Sequence, residues 1–304
     1  MNVLNLIRWK NLFMIALVQF LIKYALLEPF GVQVSLDALG ITLLVIATVC
    51  IAAAGNIIND INDVETDFIN KPHKIVIGKS ISEKTAYNLF ILFNLLGVGV
   101  GFYLSHRINR APFFSIFVII SILLYIYSTY LKSIILIGNI VISALVALSI
   151  IIVGVFELLP SISPNNQQTQ LIFFKVILDY SLFAFAINLL REIVKDIEDI
   201  DGDYKAGLNT LPIAIGRERA KYILSVLSFI PLAAIIHYII SDLYKQPLAV
   251  SYFLIFIVGP LVYIIIKTFG ATTKKDMHHI SIMYKFVMLF GMLSLLLYKF
   301  VILK

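Results

Sequence analysis

The chain has 304 residues, 60% of them hydrophobic and 14% charged, and its mean hydropathy is +0.96. A soluble domain carries about a quarter charged residues, so this composition excludes one and implies a polytopic membrane protein. The net charge of +6 is not gathered in a basic stretch interleaved with aromatics, which argues against nucleic acid as a partner, and a single cysteine, Cys50, excludes a disulfide framework or a cysteine metal site.

Nine segments are apolar over the roughly 20 residues that a bilayer crossing requires. The first, 11–28, follows Arg8 and Lys10 and runs into "EPFGV" with no small-residue cleavage site, so it is expected to be a retained helix rather than a signal peptide. The second, 37–58, runs straight into "NIINDINDVETD", Asn56 to Asp67. Carboxylates at the edge of a membrane helix are costly and mark a function by default. At about 100° per residue, Asn56, Asp60, Asp63 and Asp67 would share a strip about 60° wide.

A long connection, about 60–85, leads to the third segment, 86–104, where Gly97, Gly99 and Gly101 suit close helix packing. The fourth and fifth, 112–131 and 134–156, are joined tightly, and "SISPNNQQTQ" forms a polar loop before the sixth, 171–190. The second long connection, 191–219, opens with "REIVKDIEDIDGDYKAG". Asp196, Asp199 and Asp203 repeat Asp60, Asp63 and Asp67 at a constant offset of 136 residues. Glu192 extends the strip as Asn56 does, with Gly202 expected to end the helix before Asp203. The remaining segments are 220–240, 248–266 and 281–302.

The two acidic copies lie four helices apart and therefore share an orientation, the mark of a parallel internal repeat. The expected fold is all-α: a polytopic membrane protein with nine transmembrane helices, two four-helix repeats plus a ninth helix, around a central cavity, as one domain over 1–304. With the N-terminus in the cytoplasm, that side holds seventeen Lys and Arg, Lys74 among them, and the other side holds seven, including Lys304. The positive-inside rule then puts both acidic connections in the cytoplasm. Lys23, Lys175 and Lys299 sit near outer helix ends, where they are expected to snorkel.

Two acidic strips facing one cavity cannot stay ionised together without cations. Oxygen ligands favour Mg²⁺, which takes one or two carboxylates and completes its shell with water and phosphate, so the implied ligand is a diphosphate. Lys and Arg at the same mouth would neutralise the remaining phosphate charge. Two plainer readings compete. The acids would be solvated helix-ending residues, but then nothing explains the recurring spacing. "DIDGD" would be a calcium loop, but it lacks the bidentate Glu at the proper offset. His73, His278 and His279 are expected in cytoplasmic connections without a carboxylate partner, so no zinc site is read from them, and His106 and His237 are expected at the interfaces.

The paired motifs, Asn59-Asp60-x-x-Asp63-x-x-x-Asp67 and Asp196-x-x-Asp199-x-x-x-Asp203, resemble those of the UbiA superfamily of intramembrane prenyltransferases. "YSTYLK" from Tyr127 to Lys132, the opening "IRWKNL" with Arg8 and Asn11, and "GLNTLPIAIGRERA" are similar to further family segments, so the resemblance covers nearly the whole chain. "DFINKPHKIVIGKSIS" is similar to the loop of digeranylgeranylglyceryl phosphate synthase-like members, although Lys74, Ile75, Val76 and Ile77 replace the Arg-Pro and further Pro common there.

The resemblance implies transfer of a prenyl group from an isoprenyl diphosphate to a lipophilic acceptor within the bilayer. Mg²⁺ would be held by Asp60, Asp63, Asp67, Asp196, Asp199 and Asp203. Arg8, Lys71, Lys132 and Lys195 would assist the diphosphate, while Tyr127, Asn56 or Asn59 would stabilise or orient the allylic cation. Asn11 and Glu192 join the substrate-binding set. The expected acceptor is a glyceryl phosphate ether lipid, with hydroxybenzoate or dihydroxynaphthoate as the alternative. A secondary transporter is the alternative from another class, but its acids belong at mid-membrane in interrupted helices rather than at helix ends. A structural scaffold does not explain matched acidic copies.

Overall fold

The computed structural model describes residues 2–73 and 75–299. Lys74, Lys304 and the expected end of the ninth helix at 302 lie outside the described residues. Nine helices among the described residues are long and apolar enough to cross a membrane. They are α1 (Trp9–Phe30), α2 (Ala38–Asn62), α3 (Glu83–Arg107), α4 (Ala111–Thr129), α5 (Ile137–Ser161), α6 (Gln167–Lys205), α7 (Arg217–Leu243), α8 (Pro247–Gly270) and α9 (Lys274–Leu297). No sheet occurs among the described residues; Ile77 and Ile81 form one isolated bridge in the loop before α3.

Each expected segment coincides with one of these helices, and most ends differ by a few residues. The sixth is the exception. It runs for 39 residues, past the apolar stretch and through the second acidic motif to Lys205. Gly202 does not end it, because Asn70 packs on that glycine and the buried face continues through Ile193, Ile197 and Asp203. The first motif behaves differently. α2 stops at Asn62, Asp63 takes up φ −98° and ψ 4°, and Asp67 rides on a separate short helix, Val64–Asn70. The expected continuous strip is thus broken at Asp63 in the first copy and continuous in the second.

Buried residues gather on either side of a polar cavity. One cluster packs α6 to α9 through residues such as Ile193, Leu224, Ile264 and Tyr284. Another packs α1 to α5 through Leu26, Leu44, Phe117 and Phe156. Outward faces are apolar, as a lipid contact requires; Leu95 and Ile119 are exposed. Gly97 and Gly101 serve the expected close packing: a Cβ would stand 2.6 Å from Ile51 Cγ1 at the first and 2.5 Å from Phe117 Cγ at the second. Gly99 meets nothing within 4 Å and has no packing role.

Lys23 does not snorkel. It is 1% exposed, and its ammonium donates to Glu157 Oε1 at 2.8 Å and to the Leu36 carbonyl at 2.6 Å. Glu157 Oε2 accepts the Leu36 N–H at 3.0 Å. A charge buried this deeply is tolerated because its partner and its hydrogen bonds are all in place. Lys175 remains exposed, as expected.

Candidate active site

A cavity of about 920 Å³ is lined by residues of α1, α2, α4, α5, α6 and α9. Among the described residues, α3, α7 and α8 contribute nothing to its wall. Every candidate residue from the sequence lines it: Arg8, Asn11, Asn56, Asn59, Asp60, Asp63, Asp67, Lys71, Tyr127, Lys132, Glu192, Lys195, Asp196, Asp199 and Asp203. The transporter alternative required acids at mid-helix in interrupted segments. Here the first motif lies across a helix end, and the second lies in the last three turns of an unbroken helix.

The N-terminal segment is pinned to α2 by Asn56, whose Nδ2 donates to the Ile7 carbonyl at 2.9 Å. Arg8 then adopts a left-handed conformation, φ 54° and ψ 52°, unusual for a residue with a Cβ. That conformation delivers its guanidinium to Asp60 Oδ1 at 2.6 Å. Burial opposes the charged guanidinium, but Asp60 outweighs it and holds the Arg8 pKa above its ordinary value. Strain of this kind persists where the surroundings over-determine it, and the Asn56 and Asp60 contacts supply that constraint.

Asp63 receives two donors, the Lys132 ammonium and Asn59 Nδ2, the latter at 2.6 Å. Asn62 Nδ2 reaches Ser128 Oγ at 2.9 Å and ties the end of α2 to α4, one residue from Tyr127. In the second copy, Asp196 Oδ2 accepts from Asn139 Nδ2 at 2.8 Å, while Asp199 pairs with Lys71. Lys274 stands 3.6 Å from Asp199 Oδ1 and donates to the Asn70 carbonyl at 2.9 Å. The Asn70 side chain accepts the Gly202 N–H at 3.0 Å, which seats the Val64–Asn70 helix directly on α6. Burial raises the pKa of Asp67, against the lowering effect of Lys71.

The arrangement brings both motifs to one cavity and distributes their charge among cations. Among the described residues, no three His, Cys, Asp or Glu side chains converge closely enough to hold a metal ion. The donor chemistry nevertheless suits Mg²⁺, since carboxylate and amide oxygens face one cavity and no soft ligand intrudes. Asp199 Oδ1 and Asn59 Oδ1 are buried without a hydrogen-bond donor among the described residues. The Lys274 ammonium at 3.6 Å lies beyond hydrogen-bond reach of Asp199 Oδ1, so both oxygens remain open to a bound cation.

Several lining residues carried no signal that a single sequence exposes. Asn139 and Asn188 sit in apolar helices, and Arg191, Lys274 and Lys285 looked like ordinary interfacial charges. The histidine expectation is corrected in one respect. His278 and His279 belong to α9, not to a connection, and His278 Nδ1 meets the buried Glu198 Oε1 at 3.0 Å on the cavity wall. The partner lies 80 residues away in sequence, so no local pattern reveals it.

Comparison with known proteins bears on the fold and the family. The digeranylgeranylglyceryl phosphate synthase of Methanococcoides burtonii is 30% identical over 295 residues, covering 96% of this chain and 97% of its own. A UbiA homolog from Aeropyrum pernix superposes with a TM-score of 0.66 at 14% identity, covering 90% of this chain and 94% of that one. A UbiA homolog from Archaeoglobus fulgidus, solved with DMAPP and Mg²⁺, gives 0.55 at 18% identity, covering 97% and 99%. The model of the UbiA prenyltransferase family matches residues 16–300, and this chain therefore belongs to that family.

Proposed function

We propose that this prenyltransferase, acting as one domain, moves an isoprenyl group from its diphosphate to the free hydroxyl of a glyceryl phosphate ether lipid, with Mg²⁺, at the cytoplasmic face. The observation that carries it is the pair of matched aspartate motifs lining one cation-rich cavity in a bilayer-spanning fold. The acceptor is supported by the relative that matches nearly the whole chain, a digeranylgeranylglyceryl phosphate synthase. The Lys and Arg asymmetry between the two sides supports the cytoplasmic opening.

Asp60, Asp63, Asp196 and Asp199 would hold Mg²⁺, with Asp67 and Asp203 beside them. When bound, the metal supplies charge stabilisation to the departing diphosphate. Arg8, Lys71 and Lys132 now rest on those carboxylates, so each is poised to exchange a carboxylate oxygen for a phosphate oxygen as the donor enters. The allylic C–O bond breaks and its electron pair leaves with the diphosphate. The acceptor oxygen then bonds to the allylic carbon, and its proton passes to a carboxylate or to the released diphosphate. Tyr127 and the apolar wall of Ile120, Leu124, Leu145 and Ile152 shield the cationic carbon from water.

The test is prenyl transfer by purified protein with geranylgeranyl diphosphate and Mg²⁺, read by mass spectrometry with geranylgeranylglyceryl phosphate and hydroxybenzoate as competing acceptors. Transfer to the lipid is expected. Transfer to hydroxybenzoate alone refutes the acceptor, and no diphosphate release with any acceptor refutes the mechanism.

A further inference from the structure

The cations of the cavity fall into two groups. Arg8, Lys71 and Lys132 are engaged by the motif aspartates, and Asn139 takes the fourth. On the wall made by α6 and α9 stand Arg191, Lys195 and Lys285, with Lys10 at the mouth. Among the described residues the carboxylate in ion-pair contact with them is Glu192, which accepts from Arg191 Nη1 at 3.3 Å and Lys195 Nζ at 2.7 Å. Lys285 has no carboxylate partner among the described residues; it donates to Asn11 Oδ1 at 2.6 Å and lies in the field of Arg191, Lys10, Lys195 and Arg8. Four cations with one ion-paired acid leave a surplus of positive charge in a partly enclosed space, which is unfavourable without an anion.

A second observation points to a missing acceptor. Arg191 Nε is buried and finds no hydrogen-bond acceptor among the described residues, although Nη1 is used. A buried guanidinium N–H left without an acceptor is costly, whereas a phosphate offers several oxygens to the guanidinium fork. The volume of about 920 Å³ is also at the upper end for a single small-molecule site.

We infer that Arg191, Lys195 and Lys285 form a second anion site that takes the phosphomonoester of the acceptor lipid without metal. This rests on the acceptor class proposed above. Ammonium and guanidinium groups bind a phosphomonoester of about −1.5 to −2 charge directly. The donor's diphosphate belongs to the aspartates and Mg²⁺, so the two phosphate-bearing substrates are sorted by side-chain cluster within one cavity: one acidic and metal-dependent, the other basic and metal-free. The acceptor's phosphate then fixes where its free hydroxyl lies relative to the donor.

Trp9, the sole tryptophan, lines the same cavity beside Lys10 and reports occupancy by its fluorescence. Purified protein in EDTA, without donor, is titrated with geranylgeranylglyceryl phosphate and with geranylgeranylglycerol. Wild type should bind the phosphorylated lipid at least about tenfold more tightly, the loss expected for one charge-assisted hydrogen bond. Lys285→Met and Arg191→Gln should abolish that preference, and Lys285→Arg should restore it with the same unfolding temperature. In turnover, Lys285→Met should raise KM for the acceptor and leave KM for the donor within about twofold. Equal affinity of wild type for the two lipids, or a matching rise in the donor KM, overturns the site. Tight binding of glycerol phosphate without a tail overturns its assignment to a lipid. A preserved phosphate preference with no transfer to this acceptor refutes the proposed function and leaves the anion site standing.

Discussion

Gly202 stands inside α6, nearly three turns beyond Glu192, where helix propensity and packing demand opposite residues. Propensity alone says that Gly202→Ala stabilises by about 0.5–1 kcal/mol, because Gly loses more backbone freedom than Ala in a helix. Packing says otherwise. A Cβ at this position would stand 2.5 Å from Asn70 Cγ and 2.6 Å from Asn70 Oδ1, distances that no side chain tolerates. Asn70 is 8% exposed and held through its carbonyl by Lys274, so it has little room to yield. Overpacking of this sort costs about 1–3 kcal/mol. Loss of the bond between the Gly202 N–H and Asn70 Oδ1 adds about 1 kcal/mol. The packing side wins, and the net loss should be about 1–3 kcal/mol. It should concentrate in the Val64–Asn70 helix, which carries Asp67 and precedes Lys71. Gly202→Ala should therefore lower the unfolding temperature in detergent, speed cleavage after Glu65 by endoproteinase Glu-C and reduce prenyl transfer. Adding Asn70→Gly frees the space and should recover part of the stability. A Gly202→Ala protein as stable and as active as wild type would refute the reasoning.

Asp60→Asn, Asp63→Asn, Asp196→Asn and Asp199→Asn should each lower Mg²⁺-dependent diphosphate release by about a hundredfold or more, with folding retained, since one acid fewer relieves crowding. Asp203→Asn should also impair turnover, because Asp203 is buried within α6 on the cavity wall; wild-type rates in Asp60→Asn and Asp196→Asn would end the metal assignment. Lys23→Met should destabilise by about 3–5 kcal/mol by stranding Glu157, and Lys23→Met with Glu157→Gln, which keeps an acceptor for the Leu36 N–H, should recover most of it in thermal unfolding. In a Cys50→Ser background, single cysteines at Ser80 and Asn209 should be labelled only from the cytoplasmic side and one at Asn165 only from outside. External labelling at Ser80 would invert the orientation.

What the sequence by itself determined is local or periodic. Nine apolar stretches of about 20 residues point to nine helical crossings, because a run of that length in lipid pairs its own backbone groups as a helix. The two motifs declare themselves by equal spacing, since neither copy requires knowledge of the other's surroundings. Tertiary structure decided which charge meets which. Arg8 reaches Asp60 across 52 residues, Lys71 reaches Asp199 across 128, and Lys285 reaches Asn11 across 274. Hydropathy ranks Lys23 as an interfacial lysine and Gly202 as a helix end, yet Glu157 buries the one and Asn70 explains the other. Lys, Asn and Gly carry the same letter whether they face water, lipid or a partner, and only the packing of distant helices removes that ambiguity.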